Sequence, residues 1–137
     1  MTQENAKNPL VPYGLVKAHM MMSFVVILIV VLAGLGYSMQ FIDLYPLKDI
    51  AFFSPGRVRM VHTQAVAYGW LANIFFAIVL YMIPKLTNKP ILSEKLGWFV
   101  FWAYNTLVVL TVVLILAGFG QAQEWGETPV ILDPFIA

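Results

Sequence analysis

Three long apolar runs, separated by polar and proline-containing segments, dominate the pattern along the chain. The runs cover residues 20–41, 60–83 and 96–120. Each contains the roughly twenty apolar residues that an α-helix needs to cross the hydrocarbon of a bilayer. Hydrocarbon offers no partner to an unpaired backbone N–H or C=O, so each run is predicted to be helical. We therefore predict an all-α membrane protein whose three transmembrane helices form part of a larger helical bundle.

Helix-breaking and helix-capping residues set the predicted ends of these helices. Proline cannot donate a backbone hydrogen bond, so Pro46 and Pro84, in the two connecting segments, are predicted to stop the first and second helices. Ser93 is predicted to cap the third helix, and Glu94 to lie favourably in its first turn.

Composition supports a membrane location and excludes several functions. The chain is 61% hydrophobic and 11% charged, which is too apolar for a soluble globule. Its net charge of +1, with no basic cluster, excludes the electrostatic footprint of a nucleic-acid-binding protein. Because the chain has no cysteine, it has no disulfide, no thiolate metal site and no covalently attached c-type haem. Any metal must be held by imidazole, by carboxylate or by another chain.

The distribution of positive charge predicts the orientation. Five lysines lie in the N-terminal tail, residues 1–19, and in the second connection, residues 84–95. The opposite side carries three basic residues and the acidic C-terminal tail, residues 121–137. Positively charged loops favour the cytoplasm, so the N-terminus is predicted to be cytoplasmic and the C-terminal tail to lie outside.

Several polar side chains interrupt the apolar runs. Inside a membrane such groups are directed towards protein rather than lipid. They therefore predict that the helices pack against one another or, since three helices bury little interior, against a larger bundle. These side chains are Gln64, Asn73, Asn105, Thr106 and Thr111.

His62 is an ionisable residue just inside the outer end of the second run, where it is costly and a functional candidate. A metal ligand and a buried structural histidine both fit this position. On a regular helix His62, Val66, Gly69 and Asn73 share one face. Small residues on that face would allow a flat macrocycle to approach the backbone.

Two arginines lie about one turn before His62 on the aqueous side. Guanidinium groups bind carboxylates in a fork, so Arg57 and Arg59 are suited to the propionates of a haem. Ordinary solvation of a helix end is the alternative. His19 opens the first run about 30 Å from His62, so one iron cannot bind both histidines. His19 is expected to be interfacial, and a second imidazole would come from another polypeptide.

Residues 54–76, SPGRVRMVHTQAVAYGWLANIFF, resemble the second transmembrane helix of the catalytic subunit of cbb3-type cytochrome c oxidases, the C family of haem-copper oxidases. The related nitric oxide reductases share the R-M-V-H-T core. The likeness continues in SEKLGWFVFW, residues 93–102, and in QEWGETP, which contains Glu124 and Glu127. It covers most of residues 56–133, whereas the first helix is similar only in hydropathy.

The resemblance implies roles for individual residues. It implies that His62 is an axial ligand of a low-spin haem b, which passes electrons to a high-spin haem and copper where oxygen is reduced. It further implies that Arg57 and Arg59 hold the haem propionates. In this family the residue matching Glu124 helps to bind calcium, and the one matching Glu127 is associated with proton movement nearby. From the residues alone, two carboxylates after a helix more often form a solvated helix end.

The chain also departs from the family pattern. Family catalytic subunits have about a dozen helices and further histidines, which are absent here. Either the subunit is split, with this chain as its N-terminal piece, or the chain is a relative with a structural role. A split subunit would rely on a larger partner chain for the high-spin haem and copper, and on cytochrome c-type electron-donating subunits.

The expected function is therefore one part of an oxidoreductase complex in a prokaryotic inner membrane, not catalytic alone. Nitric oxide reduction is the alternative within the family. The spacing from His62 to Glu124 and the ungapped third helix favour the oxidases. An accessory membrane subunit without a cofactor is the alternative from a different class.

Overall fold

The computed structural model describes residues 10–121 and 127–136 and is helical throughout its regular elements. A π-helical segment joins two of the α-helices, so that the two form one continuous rod. Three rods are long and apolar enough to cross a membrane: Tyr13–Ile42, Pro55–Thr87 and Glu94–Ala117. The predicted all-α fold with three spans is confirmed. The α-helices are α1 (Tyr13–Ser38), α2 (Pro55–Gln64), α3 (Ala72–Thr87), α4 (Glu94–Ala117) and α5 (Asp133–Ile136); the π-helical segment is Ala65–Leu71, and short 3₁₀ turns occupy Met39–Ile42 and Ala51–Phe53.

The first two helical rods are longer than the predicted apolar runs. The first begins at Tyr13 rather than at residue 20, and the second extends over Pro55–Thr87 rather than over residues 60–83. Hydropathy marks the hydrocarbon-spanning part of a helix, whereas the backbone hydrogen bonds continue into the polar flanks. The third helix ends at Ala117, before the predicted residue 120.

Pro84 does not stop the second rod, contrary to the prediction. It lies inside α3, which continues to Thr87. Pro84 removes the hydrogen bond to the Leu80 carbonyl, four residues before it, yet the helix continues for three more residues, and the Thr87 hydroxyl donates to the Ile83 carbonyl at 2.8 Å in its last turn. The helix ends where Asn88 adopts the left-handed conformation at φ 54°, a common way to terminate a helix.

The start of α4 follows the sequence prediction. Ser93 is the N-cap, and its Oγ accepts a hydrogen bond from the Leu96 N–H at 3.3 Å. Glu94 lies in the first turn, where a carboxylate interacts favourably with the positive end of the helix dipole. Both predictions about this helix start are confirmed.

Adjacent spans run antiparallel. His19, early in the first rod, contacts Asn73, whereas His62, earlier along the second rod, contacts Val30, later along the first. Asn73 also contacts Asn105 of α4. The first and third rods are therefore parallel to each other, with the second rod reversed between them.

A buried polar network ties the three rods together. His19 Nδ1 lies 2.8 Å from Asn73 Oδ1, and Asn73 Nδ2 donates to Asn105 Oδ1 at 2.9 Å. The expectation that His19 is interfacial is wrong, since its exposed fraction is 2%. The Asn73 amide and the rings of Phe76 and Phe101 surround the imidazole. Its contacts are therefore with other side chains of the bundle.

Most of the other polar side chains in the spans also face protein, as predicted. Gln64, Asn73, Asn105 and Thr111 are buried, whereas Thr106 is exposed on the outside of α4. Large apolar side chains cover the outer faces; Leu28 and Leu32, for example, are 68% and 70% exposed. Such a surface is suited to lipid or to further helices.

Candidate functional site

The His62 imidazole is hydrogen-bonded through one ring nitrogen. Its Nδ1 lies 3.0 Å from the backbone oxygen of Val30 on α1. A carbonyl oxygen can only accept, so Nδ1 is the donor, and in the neutral ring Nε2 then carries the lone pair. The residue is partly exposed, and among the residues that the structure describes no hydrogen bond occupies Nε2. A neutral imidazole fixed in this way presents a nitrogen that is able to bind a metal.

A glycine on the neighbouring helix makes room for this ring. A Cβ added to Gly34 of α1 would lie 2.7 Å from His62 Cε1 and 3.0 Å from Nδ1. The prediction assigned this spacing role to Gly69, on the histidine's own helix. In the structure Gly69 instead packs against Val26 and Val108, where a Cβ would lie 2.8 Å from Val26 Cγ1. Gly69 lies inside the π-helical segment, which begins three residues after His62, so the spacing predicted for a regular helix does not apply between them.

An apolar groove adjoins the imidazole. It has a volume of about 200 Å³ and lies between α1, α2 and α4. Val30 and Ala33 line it from α1, and Val109 and Val112 from α4. His62 is the one ionisable side chain among the described residues that line this groove. The groove therefore offers an apolar wall and a single nitrogen donor.

The side chain of Arg57, a residue of α2, contacts the C-terminal end of α4. Its Nη1 donates to the Leu116 carbonyl at 2.8 Å, about one turn beyond Val112 and Val113. The guanidinium also packs on Gly118, where a Cβ would lie 2.5 Å from Nη2. A cation in this position complements the negative end of the α4 dipole.

Arg59 is held by a buried carboxylate. Its Nη1 lies 3.3 Å from Glu127 Oε1, and the side chains of Arg59 and Glu127 are 40% and 0% exposed. Gln64 Nε2 donates to Glu127 Oε2 at 2.9 Å, and the Thr128 hydroxyl donates to Gln64 Oε1 at 3.4 Å. The interpretation of Glu127 as part of a solvated helix end is therefore wrong. Glu124, the predicted calcium ligand, lies outside the described residues.

The sequence could not identify the partners of Glu127. A lone carboxylate in a polar segment usually remains in water, and nothing in the order of residues showed that the segment folds back over α2. Gln64, an amide in an apolar run directly before the π segment, was the available signal, because such a group requires polar partners.

The two histidines occupy different levels of the bundle. His62 contacts Val30, which is eleven residues beyond His19 along α1, or about 16 Å at 1.5 Å per residue. This separation is smaller than the predicted 30 Å, because His19 lies deeper in the bundle. It is still too large for one iron to bind both imidazoles. Within the described residues, no group of three or more His, Asp or Glu side chains is positioned to hold a metal ion.

The helical membrane fold agrees with the comparison to known families. Residues 14–136 match the family model described as cytochrome C and quinol oxidase polypeptide I. This match covers most of the chain, so the chain belongs to that family. The match begins at residue 14 and therefore includes the first helix, for which a likeness in hydropathy alone was expected.

Individual relatives are bacterial oxidase subunits. The cytochrome c oxidase subunit 1 homolog of Agrobacterium tumefaciens (strain T37) is 32% identical over 90 residues, which are 65% of this chain and 17% of the relative. Cytochrome c oxidase subunit 1 of Rhodobacter capsulatus is 31% identical over 83 residues, 60% of this chain and 16% of the relative. The cbb3-type cytochrome c oxidase subunit CcoN1 of Stutzerimonas stutzeri is 27% identical over 88 residues, 64% of this chain and 19% of the relative.

The matched region spans less than a fifth of the length of these relatives. No solved structure matches the chain.

Proposed function

We propose that this chain contributes His62 as one axial ligand of a low-spin haem b in a cbb3-type haem-copper oxidase. One observation carries the proposal: Nδ1 is bonded to the Val30 carbonyl, which leaves the Nε2 lone pair beside an apolar groove. Metal-ligating histidines commonly donate their other ring N–H to a backbone carbonyl or carboxylate, which fixes the tautomer and the orientation of the ring.

The surroundings of His62 fit a haem. The groove supplies an apolar wall for the macrocycle, and Gly34 lets the imidazole lie against α1. Arg57 and Arg59 would bind the propionates at the aqueous end. A guanidinium has five N–H donors, and the described contacts use Nη1 of each arginine. Donors therefore remain on both residues for carboxylates.

The second axial ligand would come from polypeptide outside these 137 residues. The sequence contains two histidines, and the other one, His19, is buried in its hydrogen bond with Asn73. We therefore place the remaining histidines, the high-spin haem and the copper on a larger partner chain. That partner would pack on the exposed apolar faces of the three rods.

The proposed reaction is the transfer of electrons from a cytochrome c-type subunit to oxygen, coupled to proton uptake. When bound, the haem supplies the one-electron redox centre. Val30 and Gly34 would hold the imidazole orientation, the apolar groove would surround the macrocycle, and Arg57 and Arg59 would neutralise the propionates. Burial, axial ligation and nearby charge are the means by which a protein sets a haem potential. Calcium binding at Glu124 belongs to the same proposal.

Oxygen is the proposed substrate because the compared relatives are named as cytochrome c oxidases. Nitric oxide reduction is the alternative from the sequence analysis. Parallel oxygen-consumption and nitric-oxide-consumption assays on the purified complex distinguish them. Faster turnover with oxygen is expected, and turnover with nitric oxide alone would overturn the choice of substrate.

The test of His62 is its replacement in the assembled complex. His62→Ala should abolish the low-spin haem b contribution to the reduced-minus-oxidised absorption spectrum, because the iron loses one of its two imidazoles. His62→Gly provides a matched control: added imidazole should enter the vacated space and restore the signal. A low-spin haem b spectrum that is intact in His62→Ala would support an accessory subunit without a cofactor and refute the proposal.

A further inference from the structure

The second rod changes helical type three residues after His62. Residues Ala65–Leu71 form a π-helix, and the Ala72 N–H bonds to the Ala67 carbonyl, five residues back. Such segments are rare and are commonly found at functional sites. A π turn holds one residue more than an α turn and therefore shifts the helix faces that follow it.

Two side chains satisfy backbone carbonyls of this segment. The Tyr104 hydroxyl of α4 donates to the Tyr68 carbonyl at 2.8 Å, and Asn73 Nδ2 donates to the Gly69 carbonyl at 2.7 Å. A helix distortion inside a bilayer must find such partners within the protein, because hydrocarbon supplies none. Tyr104 reaches the segment from another helix, and its ring is held edge-on against Phe76 at 5.3 Å.

The π segment lies between His62 and Asn73 along the second rod. Asn73 is 0% exposed at the centre of the three rods, where it contacts His19 and Asn105. His62 is partly exposed and lines the groove between α1, α2 and α4. The extra residue of a π turn changes the register between these two positions relative to a regular α-helix.

We infer that Tyr104 is a positioning residue, which holds the π segment through the Tyr68 carbonyl and thereby sets the orientation of the His62 imidazole towards the haem. This inference rests on the proposed function of His62. It assigns a functional role to a residue that touches neither His62 nor, by its described contacts, the apolar groove.

The first test measures the contact without reference to haem. This chain is labelled with ¹³C-carbonyl tyrosine and ¹⁵N-glycine and then assembled with unlabelled partner chains, so that the label selects its two Tyr-Gly pairs, 13–14 and 68–69. Gly14→Ala assigns them, because a Cβ there meets only an ordinary contact at 3.7 Å. In solid-state NMR of the assembled complex in lipid, Tyr104→Phe should shift the Tyr68 carbonyl resonance and leave that of Tyr13 unchanged. An unchanged Tyr68 resonance would overturn the inference.

The second test measures the consequence for the iron. Tyr104→Phe retains the ring and its contact with Phe76, so the low-spin haem b should remain bound. Its electron paramagnetic resonance g values should change, because they report the orientation of the axial imidazoles. Tyr81→Phe is the matched control, since Tyr81 is described by ring contacts with Tyr13 and Lys85 and not by a hydroxyl bond. Identical g values in wild type, Tyr104→Phe and Tyr81→Phe would overturn the positioning role.

Failure of the proposed function of His62 and failure of the inference about Tyr104 give different results. If His62→Ala retains haem b, the proposed function fails, even when the Tyr68 carbonyl shift confirms its bond with Tyr104. If His62→Ala loses haem b but Tyr104→Phe changes neither spectrum, the function stands and the inference about Tyr104 is wrong.

Discussion

At the scale of single residues, the sequence identified His62 and the arginines as candidates but not the groups that contact them. The R-x-R-x-x-H spacing is visible in the chain, whereas Val30 and Gly34 belong to another helix. Hydropathy gives both of them the same apolar character as their neighbours. Their roles depend on how two rods are rotated against each other, which no local pattern records.

Gly34 offers a sharp test of the histidine site. Gly34→Ala would place a methyl group 2.7 Å from His62 Cε1, so the imidazole must move away from α1. Overpacking of this kind typically costs about 1–3 kcal/mol. We expect Gly34→Ala to reduce the low-spin haem b content of the purified complex, measured from its absorption spectrum per unit of protein.

Gly36→Ala is the matched control on the same helix. A Cβ at Gly36 meets nothing within 4 Å, so this variant should retain wild-type haem content. Equal haem contents in the two variants would contradict the proposed contact between α1 and the ligand.

At the scale of elements, the three helices were predictable because an apolar run of sufficient length allows only a helix in a bilayer. The π-helical segment Ala65–Leu71 was not predictable from its letters, which contain no proline and continue the apolar pattern. Its stabilising donor Tyr104 lies on α4. Nor could the continuation of α3 beyond Pro84 to Thr87 be predicted, because proline inside an apolar run most often ends a helix.

The cap of α4 provides the prediction at this scale. Ser93→Ala removes the oxygen that accepts from the Leu96 N–H, and loss of such a cap typically costs about 1 kcal/mol. We expect faster hydrogen exchange at the amides of the first turn of α4, measured by mass spectrometry in detergent.

Ser54 provides the comparison, because it is the N-cap of α2 and makes no capping hydrogen bond with its side chain. Ser54→Ala should leave exchange in the first turn of α2 near the wild-type rate. Similar changes in both variants would show that the Ser93 hydroxyl does not cap its helix.

At the scale of the whole molecule, the antiparallel order of the rods follows from three membrane-spanning helices joined by short connections, but the side of the membrane on which each end lies does not. Only charge predicts it, with five lysines on one side. The exposed outer faces are apolar on all three rods. Such faces are suited to lipid or to further helices, whereas the polar network is directed inwards.

The predicted orientation can be tested with single cysteines, because the native chain contains none. Asp49 and Lys89 are exposed in connections on opposite sides. With a cytoplasmic N-terminus, a membrane-impermeant maleimide added to spheroplasts should label Asp49→Cys. Lys89→Cys should react only after permeabilisation. Labelling of Lys89→Cys in intact spheroplasts, with protection of Asp49→Cys, would reverse the orientation.

The most direct measurement of the central claim is a cryo-electron-microscopy map of the intact complex at a resolution that shows side chains. The account predicts continuous density from His62 Nε2 to a haem iron whose opposite ligand is a histidine outside these 137 residues. Density that shows this imidazole facing lipid, or packed only against other side chains, would contradict it.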